Sequence, residues 1–268
     1  MRENMKNNLI RTNDAASGLI KMAQVNSNGG ILMKKLLCAA VFMFLFAQTS
    51  LVLATPSTQI WIPSTDIQDF GVVHFGADTY NTLSKNAANG GGALVNYGLT
   101  TGIVPSEKFG IEVGVDWREA SEDPLYLNTK IGVNEGVMFE GSPSIAIGGY
   151  EFGTKSDATD YNIFYGLAAK TLGNAGRISI GYYSGNDKLL VDKNGKKDES
   201  GILASWDRSF GDKYWAAIDY MGGENSYGAL SFGVSYALSD DASFIVGYDI
   251  YNNSTLEDTM NFQIDVNF

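Results

Sequence analysis

The sequence predicts an all-β protein: a closed antiparallel transmembrane β-barrel of about twelve strands, preceded by a cleavable signal peptide. Three observations predict this fold. Short segments between residue 71 and the C-terminus alternate apolar residues with small or polar ones. No apolar run after residue 54 is long enough for a membrane-spanning helix. Short links between the segments alternate with longer, more polar ones.

The N-terminal region has the layout of a secretory signal peptide. Lys34 and Lys35 supply a basic start, residues 36–46 are apolar, and residues 52–54 end in a small residue, Ala54, that suits cleavage. We therefore predict a signal peptide over residues 33–54 and treat residues 1–32 as an over-extended N-terminus. Residues 55–70 form a separate segment before the barrel of residues 71–268. Two prolines argue against a central strand there, and the pattern allows either a periplasmic segment or a plug inside the barrel.

The alternation is clearest in the last strand. Phe262, Ile264, Val266 and Phe268 share one face, and Asn261, Gln263, Asp265 and Asn267 share the other. Elsewhere the same rule puts Ile163, Tyr165, Leu167 and Ala169 on the apolar face, with Phe164 and Ile245 as exceptions. Residues 134–143 form a link that should be short and is not, so the strand count is least certain there.

A soluble β-sandwich also alternates, so the polar face has to decide between the two folds. Here it is dominated by Gly, Ser, Asn and single acidic residues rather than by long charged side chains. Small residues relieve crowding on the concave interior of a closed barrel. We therefore predict that the apolar face meets lipid and the polar face lines the interior.

The final segment resembles the C-terminal insertion signal of bacterial outer-membrane β-barrel proteins, in which a terminal aromatic follows apolar residues two, four and six places earlier. Phe262, Ile264, Val266 and Phe268 match that motif. The resemblance to porin-like barrels is one of architecture and covers about residues 70–268. It implies a Gram-negative outer-membrane location with both termini periplasmic, and contact with outer-membrane lipid and the barrel-assembly machinery.

The polar face carries the candidate functional residues. Those predicted to line the lumen are His74, Asp78, Glu112, Asp116, Lys130, Lys170, Arg177, Asp207, Asp219, Asp249 and Asp265. Opposite charges among them could pair across a narrow barrel and plug it. Alternatively, their acidic excess could surround a small water-filled pore that favours cations.

The sequence contains no set of residues that would support catalysis or metal binding. The chain has one His, and its single Cys, Cys38, lies in the predicted signal peptide. A hydrolase needs a nucleophile, a base and an orienting group, and no such set accompanies His74. We therefore predict no enzyme activity, cofactor or metal site. The net charge of −11 argues against nucleic acid as a partner.

Three function classes follow, in order of preference. The first is a porin-like channel for passive diffusion of small cationic or neutral solutes. The second is a closed outer-membrane barrel that acts as an adhesion, receptor or scaffold protein through its outer loops, above all residues 184–199. The third is a soluble periplasmic sandwich that binds a ligand. The sequence contains no signal for the oligomeric state.

Overall fold

The computed structural model describes residues 57–82, 94–119 and 121–268. The predicted signal peptide and the extension before it lie outside these residues. The described residues form twelve strands, with one 3-10 turn at Gly173–Ala175. The strands are β1 Val73–Thr82, β2 Leu94–Gly102, β3 Gly110–Arg118, β4 Leu125–Val133, β5 Ser144–Gly153, β6 Asp160–Thr171, β7 Arg177–Ser184, β8 Ser200–Phe210, β9 Tyr214–Met221, β10 Ala229–Ala237, β11 Ala242–Tyr251 and β12 Thr259–Asn267.

The strands form a single closed sheet. Each strand pairs antiparallel with its neighbours in sequence, and β1 pairs with β12 from His74–Asn267 to Thr82–Thr259. Beyond that register, the Phe268 N–H donates to the Val73 carbonyl at 2.9 Å, and the Val73 N–H donates to the Phe268 carbonyl at 3.1 Å. The predicted closed antiparallel barrel is therefore confirmed, and a two-sheet sandwich is excluded.

The exterior of the barrel is apolar. Ile180 is 67% exposed, Ile147 62% and Phe164 60%, and aromatic side chains pair across neighbouring strands, as Tyr214 and Tyr236 do at 5.2 Å between ring centroids. An outward apolar band of this kind matches the hydrocarbon core of a membrane. Among the described residues, no helix is long and apolar enough to cross a membrane.

The long link between β4 and β5 is a turn that leaves the strand count at twelve. The Gly136 N–H donates to the Ser142 carbonyl, and the Ser142 N–H donates to the Phe139 carbonyl. Gly136 and Gly141 have φ of +82° and +76°, a left-handed conformation that glycine adopts without steric cost. The extra residues therefore fold back on themselves instead of adding or removing a strand.

One strand has the opposite orientation to the prediction. In β6, the side chains of Ile163, Tyr165, Leu167 and Ala169 are buried inside the barrel, while Phe164 points outward. The inward orientation is stable because this part of the interior is filled by apolar side chains rather than water. The prediction that these four residues face lipid is wrong, and the apparent exception, Phe164, marks the true outer face.

Candidate functional site

Residues 57–70 fold into the barrel interior. The segment enters beside the first residue of β1 and makes a tight turn, in which the Gln59 N–H donates to the Ile62 carbonyl at 2.8 Å. The Ser64 N–H closes the base of the turn by donating to the Ser57 carbonyl at 3.1 Å. We call these residues the inner segment. Of the two arrangements that the sequence left open, the contacts of the inner segment are those of a plug.

Charged side chains of the wall hold the backbone of the inner segment. Asp219 Oδ2 accepts hydrogen bonds from the N–H groups of Ile60 at 2.8 Å and Trp61 at 3.0 Å. Glu112 Oε2 accepts one from the Gln68 N–H at 2.8 Å, and Lys130 Nζ donates to the Ser57 carbonyl at 3.2 Å. These groups satisfy backbone donors and acceptors that would otherwise be buried without partners.

A charged triad fixes the side chains of the inner segment near the start of β7. Arg177 Nε donates to Asp207 Oδ1 at 2.9 Å, and Arg177 Nη1 donates to Asp66 Oδ1 at 2.6 Å. Gln59 Nε2 also donates to Asp207 Oδ1 at 3.2 Å. Two of the predicted interior charges, Arg177 and Asp207, therefore bind side chains of the inner segment.

The interior beside β6 to β9 is apolar and filled. Ile62 packs in a buried cluster with residues of β6, β7, β8 and β9, and Ile60 packs in a second cluster with Trp215, Ala217 and Ile245. This contact explains why Ile245 breaks the alternation of β11: it points inward to meet Ile60. We call this half of the interior the filled side. The members of the first cluster are Ile62, Ile163, Tyr165, Leu167, Tyr183, Leu190, Leu203 and Met221.

The opposite half of the interior holds a polar cavity of about 340 Å³. We call it the polar side. Its lining includes β1 from His74 to Tyr80, β2 from Leu94 to Thr100 and β3 from Glu112 to Arg118. At about 3.3 Å per residue, the lined part of β1 is about 20 Å long. Trp61 and Pro63 of the inner segment form the wall that separates this cavity from the filled side.

The charges of the polar side differ in how they are compensated. Arg118 Nη1 donates to Glu151 Oε2 at 2.9 Å, and Lys130 Nζ lies 3.1 Å from Glu112 Oε1. His74 Nε2 lies 3.3 Å from Asp265 Oδ1. Asp116 instead accepts hydrogen bonds from two neutral amides, those of Asn96 at 3.3 Å and Asn128 at 2.6 Å.

The structure places most of the predicted site residues inside the barrel, but in three different settings. Asp78 and Asp116 line the cavity, as do Glu112 and Lys130 within an ion pair and His74 beside Asp265. Arg177, Asp207 and Asp219 bind the inner segment. Asp249 is buried against Thr259 and Asn261 of β12.

The prediction for Lys170 is wrong. Lys170 shares the outward face of β6 with Phe164, and Nζ lies 2.7 Å from Glu135 Oε1 and donates to the Gly141 carbonyl at 3.0 Å. Both partners belong to the link between β4 and β5, outside the lumen. The error follows from the reversed orientation of β6, since the prediction that placed Ile163 outside also placed Lys170 inside.

The alternation of residues missed Glu151, which completes an ion pair beside the cavity. The pairing of β5 with β6 shifts register between Tyr150 and Phe152, and Glu151 at this bulge has φ of 59°. A bulge inserts an extra residue and re-aims the side chains around it. No period-two pattern can locate such a residue. Trp61 and Tyr227 also line the cavity. Strand alternation did not predict them because both lie outside the strands.

The C-terminal motif lies at the seam of the barrel. Phe262, Ile264 and Val266 lie on the outward face of β12, and Phe268 is 75% exposed beside the first residue of β1. Its role as an insertion signal stays a prediction. Among the residues that the structure describes, no group of three or more His, Cys, Asp or Glu side chains could hold a metal ion.

Solved structures of similar shape are outer-membrane porins. KdgM porin shares 11% identity with a TM-score of 0.48, and NanC porin shares 11% with a TM-score of 0.43; each match covers 74% of this chain and 98% of the other. KdgM porin in complex with disordered oligogalacturonate matches at 10% identity and a TM-score of 0.46, over 74% of this chain and 98% of that chain. No protein-family model and no curated protein matches the sequence. At these identities and scores, the likeness adds nothing to the fold that the strand pairing already shows.

Proposed function

We propose that this protein is a porin-like channel of the Gram-negative outer membrane, through which small cationic or neutral solutes diffuse passively. The observation that carries the proposal is the charged cavity of the polar side, whose lining follows β1 from His74 to Tyr80. The charged and hydrogen-bonding side chains in its lining support a water-filled path rather than a packed core. The mechanism is diffusion past fixed charges and involves no covalent step.

The preference for cations rests on which cavity charges lack a counter-charge. Arg118 and Lys130 each lie beside a glutamate, so their charges are offset within the wall. Asp78 and Asp116 line the cavity, and no cation lies within ion-pair distance of either among the described residues. Two carboxylates of this kind in a confined space attract cations and repel anions.

The proposed setting follows from the apolar exterior. Outer-membrane lipid surrounds that surface, both termini lie on the periplasmic side, and the barrel-assembly machinery reads the C-terminal motif ending in Phe268. The short link at residues 211–213 would then face the periplasm, and the long link at residues 185–199 would face outward. Periplasmic turns are the short ones in barrels of this type.

The test is a measurement of conductance and ion selectivity on purified protein in planar lipid bilayers. We expect open-channel current and a reversal potential in a KCl gradient that indicates preference for K⁺. Asp116→Asn should move the permeability ratio of K⁺ to Cl⁻ toward unity because it removes an uncompensated cavity charge. Asp212→Asn is the matched control, since Asp212 lies exposed in a link outside the cavity. Absence of any current from folded protein would overturn the proposal.

A second candidate is a barrel that acts through its outer loops. The observation that favours it is a groove of about 560 Å³ lined by Asp192, Lys196, Tyr220, Glu224 and Asn252. The loop beside it folds on internal hydrogen bonds: the Lys196 N–H donates to Asp192, which holds the pKa of that carboxyl below its usual range. Deletion of residues 186–198 should abolish binding to whole cells or matrix while conductance persists; unchanged binding would exclude this candidate.

A further inference from the structure

Three polar residues form a row across the inside of neighbouring strands on the filled side. Ser205 of β8 pairs directly with Asp219 of β9, and Asp219 pairs directly with Ser231 of β10. All three are at least nine-tenths buried. Directly paired residues in an antiparallel sheet have Cβ atoms about 4.5–5.5 Å apart, so their side-chain oxygens share one small space.

Asp219 is a buried carboxylate with one satisfied oxygen and one that has no partner. Oδ2 accepts the hydrogen bonds from the N–H groups of Ile60 and Trp61, whereas Oδ1 has no hydrogen-bond partner within the described part of the chain. The residue is 1% exposed, and none of the ion pairs between described residues involves it. Burial of an unpaired carboxylate is strongly unfavourable unless a positive charge or a proton compensates it.

Further oxygens without a hydrogen-bond partner among the described residues lie around this carboxylate, and Ser231 Oγ of the same row is one of them. Ser205 Oγ and Gln59 Oε1 have no hydrogen-bond partner within the described ranges, and the two residues are 7% and 1% exposed. Gln59 precedes Ile60, which is bonded to Asp219, and its amide nitrogen is bonded to Asp207, two residues along β8 from Ser205. Its side chain therefore lies against the inner face of β8, on the strand that carries Ser205 and next to the strand that carries Asp219.

Protonation of Asp219 does not by itself satisfy these atoms. A proton on Oδ1 would need an acceptor, and Oδ1 makes no hydrogen bond to any described residue. The Ser205 hydroxyl does not donate to Oδ1 either, since neither atom makes a hydrogen bond among the described residues. What the three atoms share is that each is an oxygen that can act as an acceptor. A hard cation takes ligands of this type.

We propose that a monovalent cation, Na⁺ in the cell, binds between Asp219 Oδ1, Ser205 Oγ and Gln59 Oε1, with water completing its shell. One carboxylate matches one positive charge, which favours a monovalent ion over a divalent ion that would bring a second, uncompensated charge into the barrel. The ion links Ser205 of β8 and Asp219 of β9 to Gln59 of the inner segment. It therefore stabilises the inner segment in its position inside the barrel. This site is separate from the polar cavity and does not depend on conduction.

Two measurements on the full protein in detergent test the site. The first is a crystal structure of protein exchanged into TlCl or RbCl, with an anomalous map. The second is the heat-induced unfolding midpoint in NaCl compared with N-methyl-D-glucamine chloride at the same ionic strength. We expect an anomalous peak within coordination distance of Asp219 Oδ1 and a higher midpoint in NaCl, because an ion that binds only the folded state stabilises it.

Variants separate ion binding from general stability. Asp219→Asn and Ser205→Ala should each remove the difference between the two salts. Asp249→Asn is the matched control, because both oxygens of Asp249 already accept hydrogen bonds from Thr259 and Asn261; it should keep that difference even if the midpoint falls. If a variant fails to fold, the anomalous map of the wild-type protein still decides.

A map with only water density between these three oxygens, together with equal midpoints in both salts, would overturn the proposal. A peak that depends on Ca²⁺ but not on Tl⁺ would overturn the monovalent assignment. Neither measurement reads conductance, so failure of the cation site and failure of the channel proposal are distinguishable.

Discussion

The two halves of the barrel interior differ in what fills them. On the filled side, Ile62 and Ile60 of the inner segment pack on apolar wall residues, and Asp219 and Arg177 hold the same segment by charge. On the polar side, Asp78 and Asp116 face a cavity. The same strand alternation builds both halves. The difference shows that the composition of an inner wall follows what lies against it, protein or water.

Removal of the inner segment should have the largest effect on the difference between the filled side and the polar side. Deletion of residues 57–70 exposes the filled side to water, so single-channel conductance should rise several-fold. Cation preference should persist because Asp78 and Asp116 remain. Planar-bilayer recordings on folded, heat-modifiable protein measure both quantities. An unchanged conductance would mean that the inner segment does not restrict the path.

Ile62→Ala tests the packing of the filled side alone. Ile62 is fully buried in its cluster, so the substitution should lower the free energy of unfolding by about 3 kcal/mol through lost burial and a residual cavity. Ion selectivity should not change. Ile180→Ala is the matched control: that side chain is 67% exposed on the outer face, where lipid fills the space, and its cost should stay below about 1 kcal/mol. Urea unfolding in detergent gives both values. Equal losses of unfolding free energy in the two variants would contradict the proposed difference between the inner packing and the outer face.

Arg177→Gln and Lys170→Gln compare an inner with an outer cation. Arg177 joins Asp66 and Asp207, and its loss should cost about 2 kcal/mol because two carboxylates lose their partner. Lys170 lies 40% exposed outside the lumen, and its loss should cost less than about 0.5 kcal/mol without changing conductance. The same unfolding assay ranks the two variants. A change of ion selectivity in Lys170→Gln would indicate that Lys170 faces the lumen after all.

Sequence patterns were sufficient for the strands and for most of their faces. Eleven of the twelve strands have the predicted apolar residues outside, and the register that closes β1 on β12 agrees with the face predicted for Phe262, Ile264 and Val266. The reason is physical: side chains in a strand alternate strictly, so one clear apolar set defines both faces. The same rule failed at Glu151 because a bulge interrupts the alternation.

The orientation of β6 could not be predicted from β6 itself. Period two divides Ile163, Tyr165 and Leu167 from Phe164 and Gly166, but it does not say which set faces inward. Each set contains apolar residues that suit lipid. The orientation of β6 is set by packing against Ile62, which lies about a hundred residues away in sequence. Lys170 was misplaced for the same reason.

The amino-acid sequence by itself determined an antiparallel barrel of about twelve strands with an apolar exterior. Alternation, glycine placement and link lengths are local properties of the chain, so a sequence pattern can report them. Only the tertiary structure decided that residues 57–70 pack inside the barrel, which carboxylates they contact and which carboxylates remain beside the cavity. Those outcomes depend on contacts between residues as far apart as Ile60 and Asp219, and no local pattern encodes the packing free energy of such pairs.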